Sequence, residues 1–474
     1  MASVSAIKQL CSYGIGLFMM KGLSLIMLPV LANALTQEEL GRLELLTSIA
    51  VFFAILISFA LHEVLYRFVS DVEQNKQQSA ANKIYCLSLM FSLSALPILS
   101  AFSLIAARYT DSIMLSELLL ISFALSFEGA IGISLAWLRM QDRARAFVTI
   151  SLMTCICQAG FVLLSLKLQA GVSGILLASV SAHFLQLVVL HMVNRFSWTL
   201  PPAGDIRQYV KYGIPVAASG LLAFGLNGAE KLILGVGTDY QQLAVYAIAA
   251  KFALAMCILV QPFGMWWMPK RFSTLNQNQF TTFTSVTQYG VIWIALLSTS
   301  IAFAAPVFIH HMLPQSYQAA AGYTAATLAI ALFKELSELS NIGILYKKTT
   351  GILLRINIAA TLVALILATV LISYSVWGVL AALFIAQLLR FIAITVISHK
   401  LYPLQYQNRA LALLVSVCCG YLLLSYYVSD IRVQYLMTFI APLSIVLISY
   451  LTGLLPAVSG RSTLNLIRRK ADSL

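Results

Sequence analysis

Charge is what this sequence has least of. Only 10% of its 474 residues are Asp, Glu, Lys or Arg, whereas a soluble globular domain carries about 25%. A water-facing surface of ordinary extent is therefore excluded. Metal and disulfide chemistry are missing too. The seven cysteines (Cys11, Cys86, Cys155, Cys157, Cys257, Cys418, Cys419) include no CxxC pair and mostly fall inside apolar runs, so they read as small buried hydrophobes. His62, His310 and His311 have no partners at metal-ligand spacing. No GxxxxGK[ST], HExxH, GxSxG or GxGxxG motif occurs. The expectation is a chain with no catalytic residue, no metal and no cofactor, and not an enzyme. Its net charge of +13 comes from singly scattered basic residues that form no stripe, which argues against nucleic acid as a partner.

Apolar residues make up 60% of the chain, arranged in runs. A helix crossing the hydrocarbon needs about 20 of them, and runs of that kind fall near 11–34, 43–68, 84–107, 113–138, 147–168, 172–194, 211–235, 243–268, 285–311, 318–346, 352–373, 376–398, 408–428 and 433–456. Backbone groups in lipid must bond within their own segment, and stretches such as Leu43 to Leu61 lack the alternation of a barrel strand. The fold class is therefore an all-α polytopic membrane protein with about 14 transmembrane helices. Ala32-Asn33-Ala34 resembles a leader-peptidase site, but Lys21 interrupts the run before it, so the first run is expected to be retained.

Orientation follows from the loops, because basic residues resist translocation. One alternate set of loops and termini holds 21 of the 30 Lys and Arg residues, from Lys8 to Lys470; the opposite set holds four, Arg42, Arg108, Lys167 and Arg432. Both termini are thus expected in the cytoplasm. The pattern restarts after six crossings. Tyr13-Gly14-Ile15 opens the first and Tyr212-Gly213-Ile214 the seventh, and Thr36 to Gly41 follows the one much as Thr238 to Leu243 follows the other. Six crossings between the two make this a parallel repeat. The division expected is an N-lobe of helices 1–6 (1–194), a cytoplasmic linker (195–210), a C-lobe of helices 7–12 (211–400), and helices 13–14 with a basic tail (401–474), giving two parallel six-helix bundles plus two C-terminal helices.

Five basic residues interrupt the crossings: Lys21, Lys231, Lys251, Lys334 and Arg390. A charge at that depth costs several kcal/mol unless paired or wetted, so each is a candidate to contact an anion in a cavity. Carboxylates at depth are candidates for ion coupling or charge balance: Glu63, Glu128, Glu230 and Glu335. Lys334 and Glu338 stand at i,i+4 and are expected to neutralise one another, leaving Glu335 over; Glu63 and Arg67 have the same spacing. Glu128 is expected to be the other deep carboxylate of the first half.

Several stretches, in order along the chain, carry a resemblance. Gly22 to Arg42 (GLSLIMLPVLANALTQEELGR), Phe59 to Phe68 (FALHEVLYRF), Glu230 to Gly235 (EKLILG), Val245 to Lys251 (VYAIAAK) and Asn341 to Thr349 (NIGILYKKT) resemble the polysaccharide-transporter family of the multidrug/oligosaccharidyl-lipid/polysaccharide exporter superfamily, which includes O-antigen and capsule repeat-unit flippases. The resemblance implies a cationic cavity between two six-helix bundles that accepts an undecaprenyl-diphosphate-linked oligosaccharide by alternating access. Membrane lipids, a polysaccharide polymerase and a chain-length regulator are its implied partners, and a proton or sodium gradient its implied energy source. Here Glu-Lys stands where helix 7 of the family commonly has Asp-Arg, and lysine lacks arginine's bidentate fork for phosphate. Two other readings are a cation-coupled multidrug exporter of the same superfamily, disfavoured by a lysine rather than a carboxylate in the first helix, and a glycan polymerase or ligase, disfavoured by short outer loops. The topology predicts that green fluorescent protein fused after Leu474 fluoresces and that alkaline phosphatase fused there is inactive; an active phosphatase would invert the orientation.

Overall fold

The computed structural model describes residues 19, 22–23, 25–108, 112–268 and 270–455. Lys21 and the basic residues 461–470 lie outside that range. The described residues form helices and no strand, as the composition requires. They group into two compact units, Met1–Ile248 with Asn357–Leu383, and Ala249–Ile356 with Phe384–Leu474.

The first unit holds α1 (Leu25–Ala34), α2 (Gln37–Ser58), α3 (Leu61–Ser70), α4 (Gln77–Ala106), α5 (Leu115–Met140), α6 (Ala144–Lys167), α7 (Gly171–Asn194), α8 (Ala203–Asn227), α9 (Glu230–Gly237) and the start of α10 (Tyr240–Trp267). At its centre is α5, packed against α2, α3, α4, α6 and α7. Small residues make that possible. Ser88, Ser92 and Ser103 of α4 are buried, as are Ser122, Ser126 and Ala130 of α5, and the Ser103 and Ser122 hydroxyls meet at 3.2 Å. Helices in lipid gain nothing from hiding apolar surface from water, so close approach across small side chains and a shared hydroxyl must hold them.

The second unit holds the rest of α10, α11 (Lys270–Asn276), α12 (Phe280–Met312), α13 (Ala320–Ser340), α14 (Ile342–Tyr346), α17 (Asn408–Tyr427) and α18 (Ile431–Leu451). The helices α15 (Thr350–Leu371) and α16 (Ser375–Leu401) each contribute to both units. Here α12 is central, touching α11, α13, α17 and α18. Phe303, Leu328, Leu414, Cys418, Ala441 and Ile445 belong to one core, so the last two helices are built into it. The hydroxyls of Ser298, Thr299 and Ser300 turn back to carbonyls one turn earlier at 2.8–2.9 Å, which satisfies them without water.

Among the described residues, eleven helices are long and apolar enough to cross a membrane. One of them, Thr350–Leu401, is 52 residues long, more than twice the length one crossing needs, and a turn at Ile372–Tyr374 divides it. The charges of α13 keep it out of the apolar set although it has 21 residues. With the helix containing Leu25–Ala34, the described residues agree with the fourteen crossings expected.

Two crossings expected to be continuous are broken. The 43–68 run ends as α2 at Ser58, and Phe59 and Ala60 take φ of 48° and 50° before α3 begins. Two successive non-glycine residues in the left-handed region are costly. The freed backbone is covered by α8, where the Cβ of a residue replacing Gly213 would lie 2.8 Å from the Phe59 carbonyl oxygen. The 211–235 run starts early, at Ala203, and breaks at Gly228 (φ −160°, ψ −25°). Residues 195–202 are tied down at the other end of α8: Asn82 donates to Ser197 Oγ at 2.6 Å, Phe196 stacks on Tyr85, and Lys83 meets Asp205 at 3.1 Å.

In the second unit, Gly343 donates its backbone N–H to Ser398 Oγ at 2.8 Å, and a Cβ on it would fall inside the Ser398 carbonyl. Gly343→Ala is predicted to cost about 1–3 kcal/mol through overpacking and to lower the melting temperature of detergent-purified protein. Gly351→Ala, which meets open space, leaves it unchanged.

Candidate functional site

The break between α8 and α9 places charge inside the first unit. Both neighbouring helices are held by their own N-caps. Thr36 and Glu39 cap each other at the start of α2 through bonds of 2.9 and 3.2 Å, and Asp239 accepts from the Gln242 N–H at 2.6 Å at the start of α10. These are the two turns that the internal repeat matches. Between them α2 and α10 come so close that only a hydrogen fits at Gly41 against the Tyr240 carbonyl. Deeper along α2, Ser48 donates to the Gly228 carbonyl at 3.4 Å, meeting one acceptor freed by the break.

Just past the break, Lys231 Nζ lies 2.7 Å from Glu44 Oε2 on α2, and Tyr246 of α10 donates to Glu230 Oε1 at 3.2 Å. Glu44 and Glu230 are each only 7% exposed, and the Lys231 side chain 23%. Attraction between charges rises as the dielectric falls, so this pair is far stronger than a surface bridge. Two carboxylates and one ammonium thus come together within the first unit. Glu230 and Lys231 point about 100° apart on the helix, which is why they take separate partners.

The second unit holds a separate network. Arg390 meets Glu338 Oε1 at 2.8 Å, Asn341 donates to the other Glu338 oxygen at 3.2 Å, and Arg271 donates to Asn341 Oδ1 at 3.0 Å and to the Glu338 carbonyl at 3.3 Å. Arg271 and Arg390 are both buried. Arg271 thereby satisfies backbone at the junction of α13 and α14. Lys334 lies 3.8 Å from Glu335. The pairing expected between Lys334 and Glu338 is thus replaced, because a guanidinium from α16 takes Glu338 and leaves Lys334 to its sequence neighbour. Lys251, on α10, is half-buried and engaged.

The remaining carboxylates differ from expectation in their surroundings. Glu63 lies 3.7 Å from His62 and is half exposed, while Arg67 pairs with Asp71 at 2.9 Å; the reach of Arg67 one turn forward outcompetes the turn behind. Glu128 is exposed, because α5 turns its serine and alanine face inward. Among the described residues up to Asn194, the buried carboxylates are Glu44 and Glu117, the latter fully buried, 3.3 Å from Arg42 and bonded to the Met114 N–H. Neither was singled out from the sequence, nor were Tyr246 and Arg271. Glu44 and Arg271 sit at the flanks of apolar runs, where a charge looks like loop.

Residues 30–320 match the family described as polysaccharide biosynthesis protein. The chain belongs to that family. The fold of this polysaccharide biosynthesis protein is shared with solved transporters. The lipid II flippase MurJ in an inward closed conformation matches with a TM-score of 0.74 at 12% identity, over 92% of this chain and 98% of that one. The MATE multidrug transporter DinF-BH matches at 0.58 and 16% identity over 85% and 99%. A MOP superfamily transporter from Pyrococcus furiosus, described as having a binding pocket of reversed polarity, matches at 0.54 and 14% identity over 85% and 96%. No curated protein sequence matches.

Removing one member of a buried pair strands the other. Lys231→Met is predicted to cost this polysaccharide biosynthesis protein about 3 kcal/mol of stability, and adding Glu44→Met to recover most of it, read as melting temperatures in one detergent. A loss in the double variant equal to the sum of the losses from Lys231→Met and Glu44→Met alone would show that the two charges act separately.

Proposed function

We propose that this protein is a flippase that moves undecaprenyl-diphosphate-linked oligosaccharide repeat units, of O-antigen or a similar surface polysaccharide, from the cytoplasmic to the outer face of the bacterial inner membrane by alternating access. The observation that carries the reading is membership of a polysaccharide biosynthesis family on a fold shared with a lipid II flippase. A transporter fold and short outer loops support movement of a finished lipid-linked unit rather than its synthesis, with no catalytic step. The six, six and two grouping, with both termini in the cytoplasm, belongs to this proposal. So do the roles of the charged residues. Lys21, Lys231, Lys251, Lys334 and Arg390 are proposed to meet the diphosphate or balance charge along its route, and Glu63, Glu128, Glu230 and Glu335 to serve proton or sodium coupling or charge balance. A polymerase and a chain-length regulator are the proposed downstream partners.

One observation favours a second reading. The Glu44, Glu230 and Lys231 group holds two carboxylates to one lysine, which suits a cation, and multidrug transporters share the fold. Drug resistance on overexpression would support a cation exporter. The flippase reading predicts instead that deleting the gene abolishes surface glycan while lipid-linked repeat units accumulate. Lys21→Ala, expressed at normal level, should lower surface glycan at least about tenfold; normal glycan in either strain overturns the assignment.

A further inference from the structure

We propose that the Glu44–Lys231 ion pair is a latch that an anionic headgroup opens by taking Lys231 from Glu44. The inference rests on the flippase reading and names how its substrate would couple to opening. Four observations carry it. The pair joins two parts of the sequence repeat, with Glu44 on the second crossing and Lys231 on the seventh, and both sit within a few turns of the helix ends that Thr36 and Asp239 cap. Along the same seam α2 lies against glycines of α8 and α9, with Phe59, Ile55 and Leu45 facing Gly213, Gly220 and Gly235. Such a seam offers few interlocking side chains, so among the described residues the ion pair is its strong directional contact at that level. Third, Lys231 rides on an eight-residue helix behind a break at Gly228, a joint that can turn without unwinding α8. Last, an open groove of about 420 Å³, lined by Glu38, Ser112, Gly235, Thr238, Asp239 and neighbours, begins one turn beyond Lys231; its two carboxylates repel an anion, so it serves as the way to water for Glu44 and not as the seat of the headgroup.

The energetics favour exchange over simple rupture. Pulling Lys231 from Glu44 without a substitute forfeits the attraction that offsets the burial of both charges. A diphosphate brings its own negative charge to the ammonium, and Glu44 swings with α2 toward the groove and water. Opening is then cheap only when an anion is present, because a ligand shifts an equilibrium by its differential affinity for the two states. Tyr246 of α10 donates to one oxygen of Glu230 at 3.2 Å, which engages the second carboxylate away from the Glu44 contact.

The test uses full-length protein in liposomes, with the native cysteines replaced and Ser48→Cys added. Ser48 is buried one turn below Glu44, and a membrane-impermeant maleimide reads whether the seam is open. Farnesyl diphosphate is the probe and farnesol the control. Expected is a rise in labelling of about tenfold with the diphosphate, none with farnesol, and a comparable rise without ligand in Glu44→Gln. The charge-swapped Glu44→Lys/Lys231→Glu protein keeps the latch, so its labelling without ligand stays low; Lys231→Arg answers the diphosphate. Labelling of the parent that ignores the diphosphate, or a swapped protein that labels without ligand as fully as Glu44→Gln, overturns the proposal. Surface glycan that still requires the gene would in that case leave the flippase reading standing, whereas glycan independent of the gene removes the reading itself.

Discussion

Lys231 enters the bilayer with a positive charge, and the protein meets it with Glu44 at 2.7 Å. Much of the first unit can be understood from the demand that this contact makes. A carboxylate must come from α2, so α2 has to lie close to α9, and glycines at 213, 220 and 235 supply the room. The helix carrying Lys231 has to be aimed at that carboxylate, and the break at Gly228 sets its direction independently of α8. The break exposes a carbonyl, which Ser48 takes up. Each consequence is the same rule applied again: in hydrocarbon, charge and open backbone are satisfied by protein or not at all.

The second unit answers the rule with arginine. Arg271 and Arg390 are both buried, and between them they hold the two ends of Glu338 and Asn341, where α13 gives way to α14. One unit thus pairs a lysine with an acid just past a break in its helix, while the other fastens its joint with two guanidinium groups and several bonds. Lysine is a compact charge that changes partners readily, and arginine a rigid fork that fixes geometry. The proposed latch draws on that contrast, placing the exchange of partners at the lysine site.

How far the sequence reached depended on distance along the chain. Apolar runs separated by basic loops are local signals, and they gave the helical class and the agreement with fourteen crossings. Lys231 was visible as a charge inside a run. Its partner was not, since Glu44 is 187 positions away and sits where a charge passes for loop. The break at Phe59–Ala60 left no mark, because neither residue is glycine or proline; only the covering contact at Gly213 makes it tolerable. Glu128 looked deep because it is mid-helix, yet depth along a helix says nothing of the face it occupies. The family stretch Glu230 to Gly235 was legible as a pattern, and the structure supplies its physics: an acid for Tyr246, a base for Glu44 and a glycine for Leu45.

Transport of a lipid-linked saccharide can be followed by reconstitution. Purified protein in liposomes would be given a fluorescent undecaprenyl-diphosphate oligosaccharide placed in one leaflet, and its arrival in the other followed with an impermeant quencher. A flippase for this substrate gives transfer well above protein-free liposomes for the diphosphate-linked saccharide and none above them for a cationic dye. Dye transfer without saccharide transfer would contradict the flippase reading.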